Sequence, residues 1–182
     1  MYKRLLPAIL WALPLLVFST PAELLMLASA ILLHEGGHLF GFFLVKEPCP
    51  TLSAVAAGLL LTPQRPISYK REIVILLSGP LANLMLALPL LYCGRATTVA
   101  AVHLFSALCN LFPLRTNDGG RAMADLCGLL LPPGTAERTA SLISLTALFL
   151  LLLLLLFLLL SPGGGGVILL LVTLLARAAQ SG

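Results

Sequence analysis

Charge is scarce in this sequence. Asp, Glu, Lys and Arg make up 10% of 182 residues, 59% are hydrophobic, and the mean hydropathy is +1.06. That leaves too little polar surface to coat a soluble domain of this length, so the chain reads as an integral membrane protein. There is no basic cluster either: the net charge of +4 comes from eleven scattered Lys and Arg, which excludes a nucleic-acid-binding reading. Cysteine is too sparse for a disulfide framework. Cys49, Cys93, Cys109 and Cys127 form no C-x-x-C pair and are expected to be small apolar packing residues. No Ser/Gly linker, fixed-period repeat or soluble-type domain is visible.

Uncharged stretches set the organisation, because charge inside hydrocarbon is costly and punctuates the spans. They predict one all-α polytopic membrane domain over residues 1–182, with spans near 5–22, 24–45, 73–93, 96–114, 139–160 and 163–180. Lys3 and Arg4 ahead of the first stretch also suit a signal peptide, but Ser19-Thr20-Pro21 is a poor cleavage site, so a retained helix is expected. Between Lys46 and Arg71 lie four prolines and a segment, Thr51 to Thr62, too short to span. It reads as a loop carrying a strand or hairpin at the membrane face. A short helix through Leu131 is expected to end at Pro132-Pro133-Gly134, and the near-pure Leu run 148–160 to face lipid. With six spans, ten of the eleven positive residues fall on one side and only Arg95 on the other. The positive-inside rule then puts both termini and the Lys46–Arg71 loop in the cytoplasm of a multi-pass cell-membrane protein.

The second span carries the chemistry. His34-Glu35-Gly36-Gly37-His38 puts ionisable groups inside an apolar helix, a functional signal by default. Positions i and i+4 stack on one helical face, so both imidazoles can reach one ion, while Glu35 sits about 100° round, free to act as a base. Zinc suits that division: the ion lowers the pKa of a bound water and the glutamate takes its proton. In soluble helices H-E-x-x-H also arises by chance; inside a span it is far more specific. Gly36 and Gly37 lower helix propensity and are expected to admit a neighbouring helix or a substrate backbone.

A third protein ligand must come from seven acidic residues. His38 lies roughly 12 Å in from the end of its helix at 1.5 Å per residue. Asp118 can fold back to that depth if its loop is re-entrant, which is permitted where backbone lines a polar cavity. Gly119-Gly120 suits a tight approach. Asp118 also reads as the N-cap of a helix starting at Gly119, which is compatible with ligation. The other acids sit beside basic residues or at span ends.

His34 to His38 in a span, Ser78-Gly79-Pro80-Leu81-Ala82-Asn83 opening the next, and Asn110-Leu111-Phe112-Pro113-Leu114-Arg115-Thr116-Asn117-Asp118-Gly119-Gly120 closing the fourth resemble the site-2 protease family of intramembrane zinc metalloproteases. The likeness covers roughly residues 25–125. Its compactness, with no inserted PDZ-like domain and no CBS domain expected, is most similar to the branch typified by the stage IV sporulation protein FB. The resemblance implies one catalytic Zn²⁺ held by His34, His38 and Asp118, with Glu35 as catalytic base. Asn83 would line the substrate-facing core and Asn110 would orient substrate or steady the oxyanion; an interhelical hydrogen bond is the other reading of either amide. Thr116-Asn117 departs from the family's usual Pro-Leu and makes the approach to Asp118 more polar. His103, on the same face as Asn110, reads as a packed core histidine.

The expected activity is hydrolysis of a peptide bond in or next to a transmembrane segment, near the cytoplasmic face. The partners are then a membrane-associated protein substrate, possible membrane-protein regulators and the lipid bilayer, with no nucleic acid. A non-catalytic metal-binding protein, a transporter or a pseudoprotease, is the rival. Transporters usually show paired polar sites and internal repeats, neither of which is visible, and an intact Glu35 argues against a pseudoprotease because ion binding alone does not require it.

Overall fold

The computed structural model describes residues 20–160, except 56 and 57, with side chains 52–61 and 158–160 left aside. The expected spans 5–22 and 163–180 lie outside the described residues apart from 20–22. Two compact units divide the chain, residues 1–110 and 111–182.

In the first unit, α1 (Pro21–Leu44) is followed by strands β1 (Thr51–Val55) and β2 (Gly58–Thr62) and by helices α2 (Tyr69–Tyr92) and α3 (Thr97–Leu111), whose last residue, Leu111, begins the second unit. Helix α1 starts three residues earlier than expected because Thr20 and Glu23 form a capping box. The Thr20 N–H donates to Glu23 Oε2 at 2.7 Å and Glu23 N–H to Thr20 Oγ1 at 3.3 Å, with Pro21 at the first helical position, where its missing N–H is no loss. Helix α2 starts at Tyr69 rather than residue 73, so Lys70, Arg71 and Glu72 form its first turn. Its interior Pro80 cannot donate to the Leu76 carbonyl.

Helices α1 and α2 pack along a glycine stripe. A Cβ on Gly37 would lie 2.5 Å from the Ser78 carbonyl oxygen and 2.8 Å from the Gly79 Cα, and one on Gly41 would lie 2.3 Å from Ser78 Oγ. Gly37 and Gly41, one turn apart, thus let the two backbones touch, as small-xxx-small pairs do in membranes. Gly36 does not share in this, since a Cβ there would meet nothing within 4 Å. The expectation of close approach holds for Gly37 alone of that pair.

The 46–71 loop contains an antiparallel hairpin, with Thr51 opposite Thr62 and Val55 opposite Gly58. Its base is tied down: Thr51 Oγ1 donates to the Thr62 carbonyl at 3.2 Å and Gln64 Nε2 to the Cys49 carbonyl at 2.9 Å. Glu47 accepts from Arg65 Nε at 2.8 Å and from Arg71 at 2.5 Å, and its side chain is only 3% exposed beneath them. The hydrogen bonds from Arg65 and then Arg71 hold the Glu47 carboxyl below the usual carboxylate range. A folded value below the unfolded one, about 4.3, means that the clamp contributes in full above that pH and is lost as pH falls through the folded value. Hydrogen-exchange protection of the 51–55 and 58–62 amides in detergent, corrected for the intrinsic pH dependence of exchange, is therefore expected to be high at neutral pH and to fall on acidification below about pH 4. Glu47→Gln is expected to show low protection throughout; identical protection profiles for the two proteins would refute the clamp.

The second unit holds α4 (Asp118–Leu130) and α5 (Pro133–Leu160). Cys127, Ala136 and Ala140 form the contact between them, backed by Ala124, Leu131 and Ile143. Pro132 ends one helix and its carbonyl accepts from the Ala136 N–H of the next at 2.8 Å. Helix α5 begins at Pro133 rather than residue 139, so Glu137 and Arg138 lie inside it, and Glu137 pairs with Arg115. Its Leu run largely faces outward: Leu150, Leu153, Leu154 and Leu156 are exposed.

Three described helices are long and apolar enough to cross a membrane: Pro21–Leu44, Tyr69–Tyr92 and the stretch Pro133–Phe157. Helix α3 does not reach the length expected of the fourth span. It stops at Leu111 because Pro113 lies just beyond, and its 15 residues rise only about 22 Å. This is a predominantly helical membrane protein. The expectation that all four cysteines pack inside is corrected: Cys127 is buried, but Cys49 and Cys93, next to chain turns, are exposed.

Candidate metal centre

The i, i+4 spacing in α1 does what helical geometry requires of it. His34 and His38 are both buried at 7% exposure, their rings meet edge to face with centroids 4.6 Å apart, and their Nε2 atoms are 3.1 Å apart. Two nitrogens bound to one tetrahedral zinc at about 2.0–2.1 Å lie roughly 3.3 Å from each other, so this pair has the separation of two ligands on one ion.

The His38 ring is held in place by its other nitrogen. Nδ1 lies 2.8 Å from the Ile75 carbonyl oxygen of α2. A carbonyl only accepts, so Nδ1 carries the proton and Nε2 keeps its lone pair for a metal. Ser78 Oγ donates to the same carbonyl at 2.6 Å. Both rings lie over the bare Cα of Gly79: a Cβ there would be 2.5 Å from His38 Nε2 and 3.0 Å from His34 Cε1. The Ser78-Gly79-Pro80 stretch thus acts on the centre through backbone and absence of side chain, a role that no list of candidate ligands in the sequence could include.

Glu35, one residue on from His34 and so displaced round the helix, is half-buried. In the second unit, Asp118 is the first residue of α4 and is half-buried. It is not the cap of its helix; Asn117 takes that place, with extended backbone angles. The turn before it doubles back tightly: Asn117 N–H donates to the Leu114 carbonyl at 2.9 Å. A Cβ on Gly119 would lie 2.0 Å from the Leu111 carbonyl oxygen, and one on Gly120 1.9 Å from that of Leu114. Only the glycine pair lets the first turn of α4 lie against that backbone.

The two asparagines differ. Asn83 is fully buried with both ends of its amide engaged: Oδ1 lies 2.8 Å from His103 Nδ1 and Nδ2 donates to Ser106 Oγ at 3.2 Å. Asn110 is half-buried, and its Nδ2 donates to the Ser106 carbonyl one turn back in α3 at 2.9 Å. His103 is 1% exposed, in keeping with a core histidine.

No family model matches the chain, and no curated protein does. Among solved structures, the chain is similar to the Site-2 Protease from Methanocaldococcus jannaschii, with a TM-score of 0.64 at 22% identity, covering 94% of this chain and 85% of that one. The two share a fold.

Proposed function

We propose that this protein is an intramembrane zinc metalloprotease. It hydrolyses a peptide bond in or next to a transmembrane segment of a membrane-associated protein, near the cytoplasmic face. The observation that carries the reading is the pair of buried imidazoles on one helical face, their Nε2 atoms 3.1 Å apart, with a glutamate between them in sequence. The site-2 protease fold of the M. jannaschii protein supports it. The donor set proposed for the ion is His34, His38 and Asp118, two imidazoles and a carboxylate of the kind that can hold one metal. Zinc, when bound, supplies a Lewis acid that activates water and polarises the scissile carbonyl.

The chain's own residues do the rest. The Glu35 carboxylate accepts the proton of the attacking water and delivers it to the leaving amine. Asn110 has an amide hydrogen beyond the one given to Ser106, and we assign that hydrogen to the developing oxyanion. The amide of Asn83 is committed between helices, so we assign it the core that backs the substrate face. Because helical hydrogen bonds must open before a carbonyl can be attacked, the substrate reaches the site as an extended segment, and the hairpin is a surface on which a strand can pair. The motif resemblance makes a sporulation pro-protein the first substrate to try.

Removal of metal tests the reading directly. Dialysis of the detergent-solubilised protein against a strong chelator is expected to abolish cleavage of a membrane substrate, and stoichiometric Zn²⁺ to restore it. Full activity in protein shown by elemental analysis to be metal-free would sink the proposal.

A further inference from the structure

One buried ionisable group has no part in that chemistry. His103 of α3 is 1% exposed and uses both ring nitrogens: Nδ1 lies 2.8 Å from Asn83 Oδ1 on α2 and Nε2 lies 3.2 Å from Ser29 Oγ on α1. Ser106, one turn further along α3, takes the Asn83 amide nitrogen at 3.2 Å; Asn83 Oδ1 accepts the Nδ1 proton, and the single hydroxyl hydrogen of Ser29 has two acceptors in reach, His103 Nε2 at 3.2 Å and the Met26 carbonyl at 2.6 Å. A single imidazole therefore bridges two helices from a third. A polar side chain buried among apolar spans persists where it has such partners and a role.

The place of this bridge gives the role. Ser29 lies five residues before His34 on α1, and Asn83 lies four residues after Gly79 on α2, the glycine over which both metal-binding rings lie. On the other side of Gly79, the two helices are joined by the bond between His38 Nδ1 and the Ile75 carbonyl. The glycine stripe between α1 and α2 supplies close contact but no directional bond. The hydrogen bonds on both sides of the rings supply direction. A metal site tolerates errors of only about 0.2 Å in ligand distance, and that is less than a loosened helix pair would allow.

We propose that His103 is a positioning residue of the metal centre: by bridging Ser29 and Asn83 it fixes the register of α1 against α2, and with it the separation of His34 Nε2 and His38 Nε2. This rests on the metalloprotease reading and adds to it a residue that touches neither metal nor substrate.

The test uses the full-length protein in detergent, with Zn²⁺ affinity measured by competition against a chromophoric chelator and Co²⁺ as a spectroscopic stand-in. His103→Leu puts an apolar side chain of similar bulk in its place and removes both bonds. It is expected to weaken Zn²⁺ binding by about 10-fold, at the lower end for loss of an outer-shell partner, and to shift the visible Co²⁺ bands, while helix content is unchanged. Ser29→Ala severs only the α1 arm and is expected to move both readouts the same way by less; it decides the matter should His103→Leu fail to fold. His103→Gln, which can regain one bond, is expected to fall between His103→Leu and wild type. Wild-type Zn²⁺ affinity and an unshifted Co²⁺ spectrum in the folded variants overturn the positioning role alone. A wild-type protein that binds no Zn²⁺ overturns the metal reading and this inference with it.

Discussion

Glu35→Gln is expected to lower cleavage of a co-expressed membrane substrate by about 10²- to 10⁴-fold, the usual contribution of a positioned proton-transfer group, and to leave bound zinc at the wild-type level. The two halves of this outcome separate the roles along one helix turn. Glu35 is offset from the face that carries His34 and His38, whose Nε2 atoms converge to 3.1 Å, so metal binding is expected not to depend on it. Glutamine preserves the size and shape of the side chain and one of its acceptor oxygens while removing its basicity, so helix packing is not a competing explanation. A transporter or a scaffold built on the same histidines would lose nothing by the change. Elemental analysis alongside the cleavage assay distinguishes the cases: full cleavage in Glu35→Gln eliminates the proposed mechanism, and loss of metal together with activity makes Glu35 a ligand instead.

What sequence could and could not convey follows from the kind of physics involved. Helical periodicity alone brings residues i and i+4 together, so the His34–His38 pair was legible from five letters. So was the need for a flexible approach at Gly119-Gly120, because a carboxylate that follows a span end must turn back sharply to be of use. The hairpin was legible from two prolines on either side of a short apolar segment. Helix ends were less so: Thr20-Pro21 looked like an exit from one span and is instead the cap and first residue of another. Hydropathy gives the length of an uncharged run, not the hydrogen bonds that begin a helix. The same limit explains α3, whose apolar sequence runs to Leu114 but whose helix ends at Leu111, ahead of Pro113. Least legible were the contributions made by backbone. The Ile75 carbonyl that fixes His38 and the missing side chain of Gly79 have no signature of their own, because which carbonyl and which glycine face the rings is settled by how two helices cross.

Gly79 carries the second large effect. Gly79→Ala is expected to remove most of the bound zinc and to reduce cleavage by at least about 10²-fold, the scale on which an ångström of misplacement is felt in a catalytic site. The added Cβ would sit 2.5 Å from His38 Nε2, 2.6 Å from its Cε1 and 3.0 Å from His34 Cε1, distances that ring atoms cannot tolerate. The His38 ring cannot swing aside without giving up its bond to Ile75. The alternative, a retreat of α2 from α1, would open the Gly37–Ser78 contact, where a backbone carbonyl already stands 2.5 Å from a virtual Cβ. Gly36→Ala provides the comparison. It changes the same residue type within the H-E-x-x-H segment, meets nothing within 4 Å, and favours the helix by about 1 kcal/mol, so it is expected to keep both metal and activity. Zinc content and cleavage measured side by side in the two variants give the result: equal behaviour would mean that the rings do not rest on Gly79. A split, with Gly79→Ala inert and Gly36→Ala active, would show that the second position after His34 on one helix matters less than an atom absent from the next.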